Sequence, residues 1–373
     1  MASTHKQEPK FGRTIREDFR RIKLKDDMGG EYRDLKDYFL SDERKERLKT
    51  MSGFKKLFVI PFWLLKALFF RLTPLRRILL LIAIIFIWIS GNSRISSEHV
   101  TIDLVGPAVF GGLILLFILA LELKDKMTAR TELEEGRAVQ ESLMPQVNPE
   151  VDGWDIWLYT KPANDVGGDL IDFLKITENK IGISVGDVAG KGLSAALLMA
   201  KLQSTIRAIV PDYNSLSSLG EKLNRIFCRD SLPKLFASLV YTELNTESGE
   251  IKVLNAGHLE PLIIRDGKVE KVKKTSPALG IIPDAIFNEQ SVYLDYKQYL
   301  IIFSDGLTEA RNQAGEFFGE ERLKDILSIK NEFTSEQLGN KILFETNYFT
   351  RNAKAHDDLT IAILKRKELK KSL

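Results

Sequence analysis

Five aspartates stand where short apolar runs meet turns. Asp169 opens DLIDFLKI, Asp187 closes KIGISVGD, Asp305 closes QYLIIFSD, and Asp357 and Asp358 precede LTIAILKRK. The turn Thr177–Lys180 makes the first two runs a hairpin and sets 169 opposite 187 within one residue. Their Cβ atoms would lie roughly 5 Å apart, and like charges so opposed repel. Such a pair calls for a cation between its members. If the runs ending at Asp305 and beginning after Asp358 are antiparallel neighbours, their carboxylates reach the same edge. An all-oxygen set in a chain with four His and one Cys favours Mg²⁺ or Mn²⁺ over zinc. Two such ions about 3.5–4 Å apart activate water and stabilise in-line displacement, the chemistry of phosphoester hydrolysis. Taken singly, each aspartate reads as a turn or cap residue; the set carries the inference. Gly167, Gly168 and Gly186 let the backbone turn tightly beside the carboxylates.

The stretch GDVAGKGLSAALLMA, 186–200, resembles a nucleotide-binding glycine loop at first sight. The pattern G-x-x-x-x-G-K-[ST] would need glycine where Val185 stands and a hydroxyl residue where Gly192 stands, so the P-loop reading fails at two fixed positions. The glycines shape a loop around Asp187 instead.

Around these residues the sequence alternates short strands with Gly, Asn and Asp turns: WDIWLYT, FASLVYTEL, EIKVLNAG, PLIIRDG and KVEKV join the runs above. Helical stretches stand between them: GLSAALLMAKLQSTIRAIV, SLGEKLNRIFCRD, and TSEQLGNKILFETNYF opened by a Thr334/Gln337 capping box. Hairpin-spaced strands with helices in pairs argue an α+β layered fold. The single cysteine, Cys228, excludes an internal disulfide framework and reads as a helix core residue.

Upstream the composition changes. Residues 1–53 form a charged arm, 54–123 an apolar region, 124–150 a linker helix stopped near Pro145, and 151–373 the mixed domain. Leu104–Leu121 carries no charge and would span roughly 27 Å as a helix. A second crossing is expected over about 75–93, while Pro61 and Lys66 interrupt Leu57–Phe70 and make it interfacial or re-entrant. Arg71, Arg76 and Arg77 precede the first crossing, and Lys124, Lys126 and Arg130 follow the second. This bias makes a multi-pass protein of the inner or plasma membrane with both termini cytoplasmic. The net charge of +3 gives no argument for nucleic acid. The linker helix could serve dimerisation or simple connection.

NDVGGDLIDF, SVGDVAGKGLSAALLMA, LNAGHLEPLII, FSDGLTEARN with GEFFGEERL, and HDDLTIAIL resemble, in order and spacing, the SpoIIE/RsbU-like branch of the type 2C metal-dependent protein serine/threonine phosphatases. The resemblance covers about residues 130–368. It implies an αββα sandwich with two Mn²⁺ or Mg²⁺ ions between the sheets at one end. Asp187 would bridge both ions with the Val188 carbonyl assisting, and Asp169 would hold one directly or through water. Asp305 and Asp357 would complete the other site, with Asp358 supporting or substituting. Lys191, where the family commonly has histidine, would attract the phosphate beside Gly168 and Gly190, or simply start the helix that follows. His258 reads as a turn-fixing residue and His356 as an exposed loop residue. The implied substrate is a phosphorylated regulator of the anti-sigma-factor-antagonist type, in partner-switching control of a sigma factor. A non-catalytic phosphatase-like module, suggested by Lys191, and a small-phosphoester hydrolase are the alternatives.

Overall fold

The computed structural model describes residues 39–367 apart from 41, 93, 98–99, 104–105, 146, 231–234, 329–331, 352 and 354. Most of the expected N-terminal arm lies outside the described residues. The chain divides into two compact units, Met1–Met127 and Thr128–Leu373.

The first unit contains α1 (Asp42–Lys49), α2 (Gly53–Arg71), α3 (Pro74–Asn92), the hairpin β1 (Arg94–Ser97) and β2 (Val100–Asp103), and the start of α4 (Gly106–Leu143). Gly111 of α4 lies so close to Ala83 of α3 that a Cβ there would sit 2.8 Å from the Ala83 carbonyl. Small residues at such a crossing let helix backbones approach. Arg76 ties the two helices again, bonding Glu122 at 2.6 Å and Asp125 at 2.7 Å. Their outer faces leave Ile85, Trp88, Phe110, Leu116 and Leu119 exposed.

One expectation needs correction here. Pro61 does not interrupt its segment: α2 runs unbroken through it. Proline removes one N–H from the ladder, and the remaining turns of this apolar segment hold the helix. The helix expected over 124–150 is the second half of α4, whose 38 residues continue from the apolar stretch into the charged one. The change in composition does not end the helix, because Glu, Lys and Arg favour helix about as strongly as Leu does.

The second unit adds, in chain order, β3 (Glu150–Val151), β4 (Trp154–Lys161), β5 (Asp169–Thr177), β6 (Lys180–Val188), α5 (Leu193–Ile209), α6 (Leu216–Asp230), β7 (Ala237–Asn245) and β8 (Glu250–Ala256). Then come β9 (Leu262–Arg265), β10 (Lys268–Lys271), β11 (Glu289–Tyr293), β12 (Tyr299–Phe303), α7 (Asp305–Thr308), α8 (Glu320–Leu327), α9 (Ser335–Thr350) and β13 (Leu359–Arg366). The strands form a six-stranded sheet, β10-β9-β12-β13-β4-β3, and a five-stranded sheet, β11-β8-β7-β6-β5.

Three apolar layers hold the unit together. Ile171, Ile183, Val185 and Val240 of one sheet meet Ile302, Ala362 and Leu364 of the other. On the outer faces, Met199, Leu202 and Leu219 of α5 and α6 cover the five-stranded sheet, and Leu323, Leu338 and Ile342 of α8 and α9 cover the six-stranded one. The result is the αββα sandwich. Every residue of β12 is buried, which is why its sequence reads as a continuous apolar run without alternation. The stretch Leu193–Asp212 is apolar enough to pass for a membrane span, yet α5 buries Ala195, Leu198, Met199, Leu202 and Ile206 against the sheet. Each fully buried Leu or Met there contributes about 1.5–3 kcal/mol. The capping box on α9 forms as expected, Thr334 accepting from Gln337 N.

Candidate active site

The β5–β6 hairpin pairs Asp169 directly with Asp187. Across the sandwich, β12 runs antiparallel to β13, with Phe303 opposite Ile361. That register puts Asp305, two residues past the end of β12, beside Asp357 and Asp358 at the start of β13. Ser304 fixes the junction: its N–H donates to Thr360 O at 3.0 Å, its hydroxyl to Asp358 O at 3.1 Å, and it accepts from Thr360 N at 2.9 Å. Gly306 is required because a Cβ would overlap the Asp358 carbonyl.

Asp358 has a different environment from its neighbour. It is buried, and its oxygens accept Ala163 N at 2.7 Å, Gly168 N at 2.6 Å and Asp169 N at 3.4 Å. The carboxylate therefore clamps the loop that delivers Asp169. Gly167 fits beneath it, since a Cβ would lie 2.7 Å from Asp358 Oδ2. Gln140 near the end of α4 closes the loop from the other side, donating to Gly167 O at 2.6 Å and accepting from Gly167 N at 3.1 Å. Asp357 is half exposed and takes Lys191 Nζ at 3.2 Å, while the same ammonium donates to His356 O at 2.8 Å. The Val188 carbonyl faces Gly168, whose missing Cβ would stand 3.2 Å from it and 3.6 Å from Asp187 Oδ1. Gly190 and Gly192 turn the Asp187 loop with φ of 123° and 71°, values that favour glycine.

The carboxyls crowd one another. Burial, then the charges of Asp305, Asp357 and Asp358, push Asp187 up to about 6, against the pull of Lys191. Burial raises Asp169 well above the carboxylate range, with Asp187 and Asp358 adding to it against hydroxyls of Thr360 and Ser304. Burial and Asp357 raise Asp305 as well. Asp169 Oδ2 is buried without a hydrogen-bond partner. Among the described residues, no three His, Cys, Asp or Glu side chains close on one point as a finished metal shell. Four mutually repelling carboxylates, one with an orphaned buried oxygen, nevertheless fit a hard divalent cation by donor chemistry and by charge.

Sequence reasoning missed how His258 is used. Its ring lies between the sheets, Nδ1 2.7 Å from Ser238 Oγ and Nε2 3.1 Å from Phe303 O. The carbonyl only accepts, so Nε2 carries the proton and Nδ1 accepts from the Ser238 hydroxyl. Ser238 is the register partner of Asp187, and Phe303 leads into Asp305. His258 thus braces the two carboxylate-bearing edges against each other, and burial lowers its pKa to about 4. Its neutral form contributes stability that is full above the unfolded value of about 6.5 and is lost as pH falls toward 4. His258→Ala should cost about 3–4 kcal/mol in urea denaturation, because a buried ring is lost, the Phe303 carbonyl loses its imidazole donor, and the Ser238 hydroxyl is left with only the Asp187 carbonyl at 3.4 Å. A loss under 1 kcal/mol would show that the brace is not structural.

Known proteins resemble this chain in sequence and fold. IcfG of Synechocystis sp. is 31% identical over 250 residues, covering 59% of this chain and 39% of that protein. Phosphoserine phosphatase RsbU of Bacillus subtilis is 27% identical over 241 residues, covering 64% of this chain and 71% of RsbU. The SiaA-PP2C domain of Pseudomonas aeruginosa superposes with a TM-score of 0.57 at 19% identity over 65% of this chain and 98% of that domain, a likeness of fold. The sequence profile described as Stage II sporulation protein E (SpoIIE) matches residues 177–367, more than half of the chain. By that match the chain belongs to the SpoIIE family, and its sandwich is of the PP2C phosphatase type.

Proposed function

We propose that the protein is a membrane-anchored, Mn²⁺- or Mg²⁺-dependent protein serine/threonine phosphatase. The observation that carries this reading is the opposition of Asp169 and Asp187 beside Asp305 and Asp357, with the Asp169 oxygen left unpartnered in a buried place. Asp169, Asp187, Asp305 and Asp357 would hold the ions, with the Val188 carbonyl beside Asp187. Bound there, the ions would lower the pKa of a water and neutralise charge on the phosphoryl oxygens. The chain's own contributions are orientation and charge. Asp358 holds the Gly167–Asp169 loop through backbone N–H groups, leaving the other carboxylates to face the site. Gly168 packs tightly against the Val188 carbonyl and Ala195, Gly190 turns the Asp187 loop, and Lys191, partly neutralised by Asp357, offers an ammonium to draw a phosphate in.

The names of the relatives, family membership and the resemblance together support a phosphoserine or phosphothreonine protein as substrate. A regulator of the anti-sigma-factor-antagonist type is our specific choice. The exposed apolar side chains of α3 beyond Arg77 and of early α4, and the length and apolarity of α4, support anchoring of a multi-pass chain in the membrane with the sandwich on the cytoplasmic side; dimerisation through the charged half of α4 is part of the same proposal. The test is phosphate release by the full chain in detergent micelles from a phosphoserine protein. We expect turnover with Mn²⁺ that EDTA abolishes. Calorimetry showing no Mn²⁺ bound at millimolar concentration would replace this reading with a non-catalytic module, and turnover confined to small phosphoesters would replace the substrate class.

A further inference from the structure

A groove of about 470 Å³ leads away from the carboxylate cluster, lined by Lys191 and Asp357 at the site and by Lys161, Arg311 and Arg351 beyond it. A cleft of this size accommodates a few residues of extended chain. Its charge is not balanced. Glu309 and Asp357 are the carboxylates of the lining, and Asp357 is taken by Lys191. Lys161, Arg311 and Arg351 have no carboxylate partner among the described residues; the arginines lie instead over the rings of Phe317, at 4.6 Å, and Tyr348, at 5.8 Å.

Arg351 adds a second, independent observation. It caps the end of α9 with φ 50° and ψ −114°, a left-handed backbone that glycine adopts with less strain. A long cationic side chain held at such a position, facing a groove, points to a use for that side chain. The use follows from the electrostatics next door. Acidic residues on a substrate would be repelled by the carboxylate cluster, and unpaired guanidinium groups alongside would reverse that repulsion and fix the direction of the bound chain.

We propose that this groove seats acidic residues flanking the phosphoserine of the protein substrate, with Arg311 and Arg351 as specificity determinants. The proposal rests on the phosphatase reading of the adjoining site. The experiment uses the full chain in detergent micelles with two fluorescein-labelled phosphoserine peptides, one flanked by Asp and Glu and one by Ser and Ala. Kinetics on p-nitrophenyl phosphate, which is too small to reach the arginines, serve as the reference. Arg311→Gln and Arg351→Gly should each raise KM for the acidic peptide by about three- to tenfold relative to that reference, with kcat little changed. The gap to wild type should close at high salt. Arg351→Gly also relieves the backbone, so its Tm should equal or exceed that of wild type while its peptide affinity falls, a combination that misfolding does not produce. An unchanged KM, or an equal rise for the neutral peptide, would overturn the proposal. If the wild type hydrolyses nothing, the phosphatase reading fails, and fluorescence anisotropy decides the groove alone. Weaker acidic-peptide binding in both variants sustains it, and unchanged binding, or equal binding of a single-stranded oligonucleotide, overturns it.

Discussion

Asp187→Asn is expected to reduce Mn²⁺-dependent phosphate release by about 10³-fold or more, equivalent to roughly 4 kcal/mol of barrier, and at the same time to raise the Tm of the metal-free protein. The two effects share one cause. Asp187 faces Asp169 in register and feels Asp305, Asp357 and Asp358. Without a cation, ionising it in the folded state is unfavourable. Burial and the neighbouring carboxylates push its carboxyl up to about 6 in the fold, from an ordinary value of 3.8. The native state therefore binds more protons than the unfolded chain across that window, and stability falls as pH rises from about 4 through 6. Asparagine removes the charge with little change in shape. Because Asp187 is partly open to solvent, the gain near neutrality should be on the order of 1–2 kcal/mol, or about 3–6 °C.

His258 titrates in the same range with the opposite sign, since its neutral form is the one the fold holds. In the metal-free wild type the raised carboxyls oppose it; in Asp187→Asn its upward slope with pH should show more clearly. Scanning calorimetry in EDTA from pH 4.5 to 8 reads both slopes. Mn²⁺ should stabilise the wild type by mass action and the variant far less. A variant that is less stable than wild type without metal would mean that the carboxylates do not repel as the geometry says.

The hairpin pairing behind this prediction was readable from the chain itself. Strand period, a four-residue turn and two positions suffice to place Asp169 against Asp187, and the observed register agrees. The meeting of Asp305 with Asp357 was conditional, because no local pattern says that β12 and β13 are neighbours; only the assembled sheet does. Strand β11 escaped notice because EQSVY is short, largely polar and at a sheet edge, so it lacks the alternation that announces a half-buried strand. His258 and Gln140 escaped for another reason. Each acts on residues 45 and 27 positions away, through backbone carbonyls and N–H groups that every residue possesses. Hydrophobic pattern reports which face is buried, and it is silent on which buried polar atom finds which partner.

Nowhere was that silence more consequential than at the adjacent pair Asp357 and Asp358, which the same substitution should separate. Asp358→Asn is expected to destabilise the protein by about 3–4 kcal/mol, a drop in Tm of about 10 °C, and to remove activity with it. The Asp358 oxygens serve Ala163, Gly168 and Asp169, all through N–H groups. An asparagine amide offers one acceptor and one donor, so in either orientation an NH₂ faces at least one backbone N–H. The unmatched donors are buried, and each costs about 1–3 kcal/mol. The loop carrying Asp169 then loses the contact that fixes it. Asp357→Asn should behave differently, because that side chain is half exposed and its partner is a solvent-accessible lysine. Exposed pairs of this kind contribute about 0–1 kcal/mol. We therefore expect near-wild-type melting and a large loss of Mn²⁺ affinity by calorimetry. The comparison separates holding an ion from holding the fold: equal melting losses in the two variants would refute the clamp, and full Mn²⁺ binding by Asp357→Asn would remove that residue from the ion site.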